Sequence, residues 1–226
     1  MKIEAVIFDR DHTLVYFDTQ RVAALSAQIA QIAPGLPVEA AQQYWATWPG
    51  PWPQLAADEA AFWRDFWTGL GSAHDLPGDH VRRLATEIGP LYHTCFKAYP
   101  ESAAVVQQLS SRGLRLAVLT NFELPSVDLT LRYAGIDPHY FQVMISSITL
   151  GVAKPDPRAF RATAAALDVP VEHCAFVDDL PVHVAAAHAV GMQAYRIDRQ
   201  SAGDQDPTVV RSLDVFVERI SPFFMA

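Results

Sequence analysis

The apolar run from Ile3 to Phe8 ends in Asp9-Arg10-Asp11-His12-Thr13-Leu14, which sets two carboxylates two positions apart at the end of a hydrophobic stretch. Such a run reads as a buried parallel strand, and open α/β sheets place ligands in the crevice beyond the carboxyl ends of their strands. Asp9 and Asp11 therefore stand where chemistry is done, and two acids so close need a cationic partner from elsewhere in the chain.

After Leu14 the pattern changes. Val22, Leu25, Ile29 and Ile32 recur at spacings of three and four, the signature of an amphipathic helix. Pro34-Gly35 ends it. Val38 to Trp48 predicts a second helix, stopped by Pro49-Gly50-Pro51-Trp52-Pro53, where prolines and glycine forbid regular structure. Leu55 to Leu70 and His80 to Phe96 predict two more helices, so the stretch from about Asp18 to Phe96 reads as an all-helical insertion. All five tryptophans fall inside it, and Phe62/Phe66 with Trp63/Trp67 form two columns at i, i+4 spacing. These rings read as the core of the insertion, because large aromatics dominate cores.

From Pro100 the chain alternates strands with helices. Helices are predicted over Glu101–Arg112, Pro125–Tyr133, Asp156–Leu167 and Pro181–Val190, and strands over Leu114–Leu119, Phe141–Ile145, Cys174–Val177 and Gln193–Ile197. Asp198–Pro207 reads as a loop and Val209–Ile220 as a closing helix. The alternation predicts an α/β fold, a Rossmann-like doubly wound parallel sheet core with an inserted all-helical cap domain. The expected boundaries are residues 1–16 and 97–226 for the core and 17–96 for the cap. Half of the 226 residues are hydrophobic, enough for such a core with its smaller insertion.

Composition narrows the partners. The net charge of −8 includes only three lysines, Lys2, Lys97 and Lys154, and no basic cluster longer than Arg82-Arg83. A polymer of nucleic acid is therefore not an expected partner. No stretch approaches the ~18 uncharged apolar residues of a membrane span, and the start reaches Asp9 too soon for a secretory apolar region. A cytoplasmic protein is expected, with Cys95 and Cys174 as buried thiols.

Three predicted strands end in polar residues that a doubly wound sheet would bring together: Asp9 and Asp11, Thr120 and Asn121, Asp178 and Asp179. The loop Gly151-Val152-Ala153-Lys154-Pro155-Asp156-Pro157 adds one cation. In this order the set resembles the haloacid dehalogenase-like hydrolase superfamily, with its Asp-x-Asp-x-Thr, its Ser/Thr, its Lys and its late acidic pair. The likeness covers about residues 1–16 and 98–197, and the insertion looks like that family's type-one cap.

The resemblance implies a Mg²⁺-dependent phosphatase acting on a small phosphorylated metabolite. Asp9 would be the nucleophile, forming an aspartyl-phosphate. Asp11 would be the acid and then the base, a role that asks for a carboxyl pKa raised by its neighbours, and its carbonyl would ligate the metal. Asp9 and Asp179 are the expected metal carboxylates, with Asp178 supporting or joining them. Thr120, the Asn121 amide and Lys154 would bind the phosphoryl oxygens. His12 stands where the family most often has glycine, and His183 where many members have Asn or Asp, losing a possible partner for the metal or Lys154. His93, His173 and His188 read as ordinary core or surface residues.

The superfamily's other reactions are less well matched. Dehalogenation needs no acid for the leaving group, whereas Asp11 supplies one. A phosphonatase of this fold uses a cap lysine, and none occurs between Lys2 and Lys97. A sugar phosphomutase remains an alternative, as does a non-catalytic ligand-binding or interaction protein on the same fold.

Overall fold

A computed structural model describes residues 2–201 and 206–224. Residues 202–205, in the expected Asp198–Pro207 loop, lie outside the described residues. The core is a six-stranded sheet built from β1 (Ala5–Phe8), β4 (Arg115–Thr120), β5 (Val143–Ser146), β6 (Cys174–Asp178), β7 (Gln193–Ile197) and β8 (Val209–Val210). Its strand order is β5-β4-β1-β6-β7-β8, with every neighbouring pair parallel. The two remaining strands, β2 (Val15–Phe17) and β3 (Phe96–Ala98), form a separate antiparallel ribbon.

Alternation along β1 divides the core into two layers. Val6 and Phe8 face one cluster with Val118, Val177, Val105, Leu109, Leu131 and Phe216. Ala5 and Ile7 face the other, with Ala117, Leu119, Phe160, Phe176 and Ala187. A strand buried on both faces needs the unbroken apolar run that Ala5 to Phe8 provides.

The helices in chain order are α1 (Thr19–Ile32), α2 (Ala40–Ala46), α3 (Glu59–Ala73), α4 (Gly78–Arg83), α5 (Ser102–Ser111), α6 (Val127–Ala134), α7 (Ser147–Leu150), α8 (Pro157–Ala166), α9 (Pro181–Ala189) and α10 (Leu213–Ile220). The first four lie between β2 and β3, so the ribbon brackets the helical insertion. Asp18 opens α1 as its N-cap, its carboxylate accepting from the amides of Gln20 and Arg21. Phe62, Trp63, Phe66, Trp67 and Leu70 of α3 are buried in the insertion's own core, as the column spacing predicts.

Two expected helices differ. The stretch read as one helix over His80–Phe96 is helical to Cys95 but α-helical only to Arg83, widening to π geometry over Leu84–Ile88 and tightening to 3-10 geometry over Gly89–Cys95. Pro90 explains the break, since it lacks an amide hydrogen and crowds the preceding turn. The expected helix Val209–Ile220 begins instead with β8, pairing with β7 through Ile197 and Val210, and becomes helical only at Leu213, after the Ser212 side chain caps the amide of Val215.

Gly89 sits where Trp63 packs most closely: a Cβ added there would stand 2.5 Å from Trp63 Cγ. Gly89→Ala is expected to destabilise the protein by about 1–3 kcal/mol in urea unfolding. Gly78→Ala, with no atom within 4 Å of the added carbon, should leave the midpoint nearly unchanged.

Candidate active site

Register brings the site together. Phe8 pairs with Val118 on one side and Val177 on the other, so Asp9 emerges beside Asp178, and Thr120 ends the adjacent strand. Lys154 arrives from the loop between α7 and α8. The Asn121 side chain holds that loop with two hydrogen bonds, Nδ2 donating to the Lys154 carbonyl at 2.8 Å and Oδ1 accepting from its amide at 2.9 Å. This side chain therefore fixes the lysine, a role that the residue type alone does not reveal.

Lys154 Nζ lies 2.7 Å from Asp9 Oδ1 and 2.6 Å from Asp178 Oδ2. All three side chains are buried, with Lys154 only 3% and Asp9 6% exposed. Burial opposes the ammonium's charge, but the two carboxylates outweigh it and hold Lys154 above the ordinary lysine value. The acids do not share the cation equally. Burial also opposes ionisation of Asp178, yet His183 Nδ1, Lys154 and the Leu180 amide (2.8 Å) keep its carboxyl below the usual range. At Asp9 burial dominates, Lys154 offsets only part, and the charges of Asp178 and Asp11 add to the rise, pushing it up to about 7.

Asp9 Oδ2 is buried without a hydrogen-bond partner among the described residues. Carboxylate oxygens of Asp9, Asp178 and Asp179 lie within 4.8 Å of one another. Three acids facing one ammonium, one of them with an orphaned oxygen, make a donor set suited to a hard divalent cation. Asp179 is half-buried; burial and Asp178 raise its carboxyl, and His12 opposes the rise. His12 itself is solvent-exposed at φ 57°, and Arg199 donates to the carbonyls of His12 (3.4 Å) and Thr13 (2.7 Å). The turn is thus braced from the far end of the chain in a conformation that glycine would adopt more readily.

His183 Nδ1 lies 3.0 Å from Asp178 Oδ2, so the side chain at this position partners the acid pair. The group nearest the Asp11 carboxylate is the guanidinium of Arg10, with Nη2 2.8 Å from Oδ2.

Arg10 begins a buried polar chain. Its Nη1 reaches Thr130 Oγ1 at 3.5 Å; His93 Nδ1 lies 2.9 Å from the same hydroxyl and Nε2 lies 3.0 Å from Glu59 Oε2. Glu59 Oε1 accepts from the Ser126 amide at 2.8 Å. Glu59 opens α3 of the insertion, whereas Thr130 and Ser126 belong to α6 and its N-terminus, so the chain ties the insertion to the core. His93, expected as an ordinary residue, is its middle link.

Comparison with known proteins decides the family. The family profile for haloacid dehalogenase-like hydrolases matches residues 3–191. The chain belongs to this hydrolase family. This haloacid dehalogenase-like hydrolase is 34% identical over 217 residues to a Mycobacterium tuberculosis protein named as a phosphatase, covering 94% of each chain. It is 33% identical over 182 residues to the phosphoserine phosphatase of Thermus thermophilus, covering 80% of this chain and 67% of that one. Its fold is similar to a 2-haloacid dehalogenase from Pseudomonas syringae pv. Tomato, with a TM-score of 0.70, 22% identity and coverage of 98% and 99%. Haloacid dehalogenase-like hydrolases of different reaction types thus share this scaffold.

Removing one member of a buried ion pair strands the other charge. Lys154→Met is expected to cost about 3–5 kcal/mol in denaturant unfolding, partly recovered by divalent cations that neutralise the same acids. Glu59 carries a separate pH dependence. Burial opposes its ionisation, but hydrogen bonds from His93 and Ser126 prevail and hold it below its unfolded value of 4.5. A depressed carboxyl stabilises the fold above the unfolded pKa and loses that contribution as pH falls through the folded one. The stability advantage of the wild type over Glu59→Gln should therefore be full above about pH 5 and shrink below pH 4.5 in acid titrations.

Proposed function

We propose that this hydrolase is a Mg²⁺-dependent phosphatase that cleaves a small phosphorylated metabolite through an aspartyl-phosphate on Asp9. The observation that carries the reading is the buried, unpartnered Asp9 Oδ2 beside the Lys154 ammonium, with a second carboxylate, Asp11, two residues on. An orphaned buried oxygen is costly unless a ligand satisfies it.

A carboxylate attacking a phosphate monoester meets like charge, which fixed cations must offset. Asp9, Asp178 and Asp179, with the Asp11 carbonyl, would hold Mg²⁺, which when bound neutralises phosphoryl charge. Lys154, Thr120 and the Asn121 amide would bind the phosphoryl oxygens. An Asp9 oxygen forms its bond to phosphorus as the ester P–O bond breaks, and Asp11 gives its proton to the departing oxygen. Water then attacks the aspartyl-phosphate phosphorus, Asp11 recovers a proton from that water, and inorganic phosphate leaves with Asp9 restored. The helical insertion, proposed as a cap over residues 17–96, would close the site to bulk water.

Asp11 and the three-carboxylate group also favour phosphoryl transfer over dehalogenation, because halide leaves without a proton and its displacement asks for no metal-holding acids. The relative named as a phosphoserine phosphatase supports a small phosphate ester as substrate. A screen of phosphorylated metabolites should show phosphate release that stops on chelation and returns with Mg²⁺. Asp9→Asn should fall to the uncatalysed background, and release that persists in this variant would rule out the nucleophile.

A further inference from the structure

The residue between the two acids is the least expected group at the site. Arg10 is only 1% exposed, and burying a guanidinium is costly unless its geometry is well satisfied. An apolar side chain would fill the same space at lower cost, so the charge calls for an explanation. Its fork meets Asp11 with Nε at 3.2 Å and Nη2 at 2.8 Å from Oδ2, and with Nη2 at 3.0 Å from Oδ1. Such a planar fork fixes direction as well as charge. Oδ2 is held twice and Oδ1 once, which leaves Oδ1 the freer oxygen.

What holds the fork comes from both parts of the chain. Its Cζ lies 3.7 Å from the centroid of Phe122, in the loop after β4, and 4.7 Å from that of Phe96, the first residue of β3. The Ser146 hydroxyl donates to the Phe122 carbonyl. Tyr92 lies parallel to Phe122 at 5.8 Å, and Trp45 of α2 stacks on Tyr92 at 5.1 Å. On its other side Arg10 connects through Thr130 and His93 to Glu59 of α3. The guanidinium is thus oriented by a stack of rings and a polar chain, both of which end in the insertion.

We propose that Arg10 is the positioning residue for Asp11: gripped between Phe96 and Phe122 and tied through Thr130 and His93 to Glu59, it aims the Asp11 carboxyl at the leaving-group oxygen. The seating of the helical insertion is thereby coupled to leaving-group protonation. This rests on the phosphatase reading, in which Asp11 passes a proton from its carboxyl to the ester oxygen as the P–O bond breaks and the Asp9–phosphorus bond forms. Asp11 keeps Oδ2 in the fork and presents Oδ1.

The test is kcat/KM, which reports departure of the leaving group, across phosphate monoesters from p-nitrophenyl phosphate to simple alkyl phosphates. An alkoxide needs the proton and nitrophenolate hardly does, so a misaimed acid gives a selective loss. Arg10→Lys, which keeps the charge without the fork, should lose about 10²-fold or more on alkyl phosphates, the scale of general acid catalysis, and far less on p-nitrophenyl phosphate. Glu59→Gln, nearly isosteric and remote from the site, should show the same selectivity at smaller amplitude, which keeps the test available if Arg10→Lys folds poorly. An equal loss across all leaving groups, or unchanged alkyl rates, in folded variants would overturn the Arg10 proposal alone. Wild-type protein that releases phosphate from no ester would overturn the phosphatase reading and the proposal with it.

Discussion

One ammonium between two buried carboxylates is the interaction on which the arrangement of this hydrolase depends. Lys154 bridges Asp9 and Asp178, and its charge offsets part of the desolvation cost of both acids at that depth. The bridge constrains topology: β1 and β6 must be neighbours in register so that their last residues converge, and the loop after β5 must cross the strand ends. Asn121 secures that crossing by holding the Lys154 backbone from the end of β4. One lysine cannot fully satisfy both acids, and the shortfall falls on Asp9, whose second oxygen has no partner among the described residues. The residue left least satisfied is the one proposed as the nucleophile.

A second polar construction joins the helical insertion to the core. The insertion packs its rings on α3 against aliphatic side chains such as Ile32, Leu84 and Ile88, and apolar contact is less directional than a fixed set of hydrogen bonds. Glu59 supplies the fixed set: one oxygen on the α6 N-terminal amide of Ser126, the other on His93. A carboxylate at a helix N-terminus also meets the positive end of the helix dipole. The insertion is therefore registered against the core by a charged contact as well as by apolar packing, and the short ribbon of β2 and β3 carries the chain in and out beside it.

How much of this was legible follows from how local each feature is. The strand-end acids could be read because an apolar run followed by Asp-x-Asp carries its own context, and two further apolar runs, ending at Thr120-Asn121 and Asp178-Asp179, also close on polar pairs. The helical insertion was legible from periodicity and its core from the two ring columns on α3. The ribbon was not, since three residues on each side are too few for alternation to register. Glu59 and His93 escaped for a different reason: their partners lie 67 and 37 residues away along the chain, and a glutamate at the first turn of a helix reads as routine surface charge. The His183 contact was likewise illegible, since residue type alone does not say that an imidazole nitrogen will stand 3.0 Å from Asp178.

The same scaffold carries relatives named for two chemistries, and the chemical difference between them narrows to the leaving group. A halide departs as a stable anion, whereas an alkoxide must be protonated as it goes. A site built for the first needs a nucleophilic carboxylate and room for an anion; a site built for the second also needs an aimed acid and positive charge around phosphoryl oxygens. Asp11 in the fork of Arg10 has no evident use in the first case, since a buried guanidinium could only hold that carboxylate in place at a cost in desolvation. In the second case the same pair has a task that requires direction, and the rings and hydrogen bonds surrounding Arg10 are the means by which a long, flexible side chain is given one.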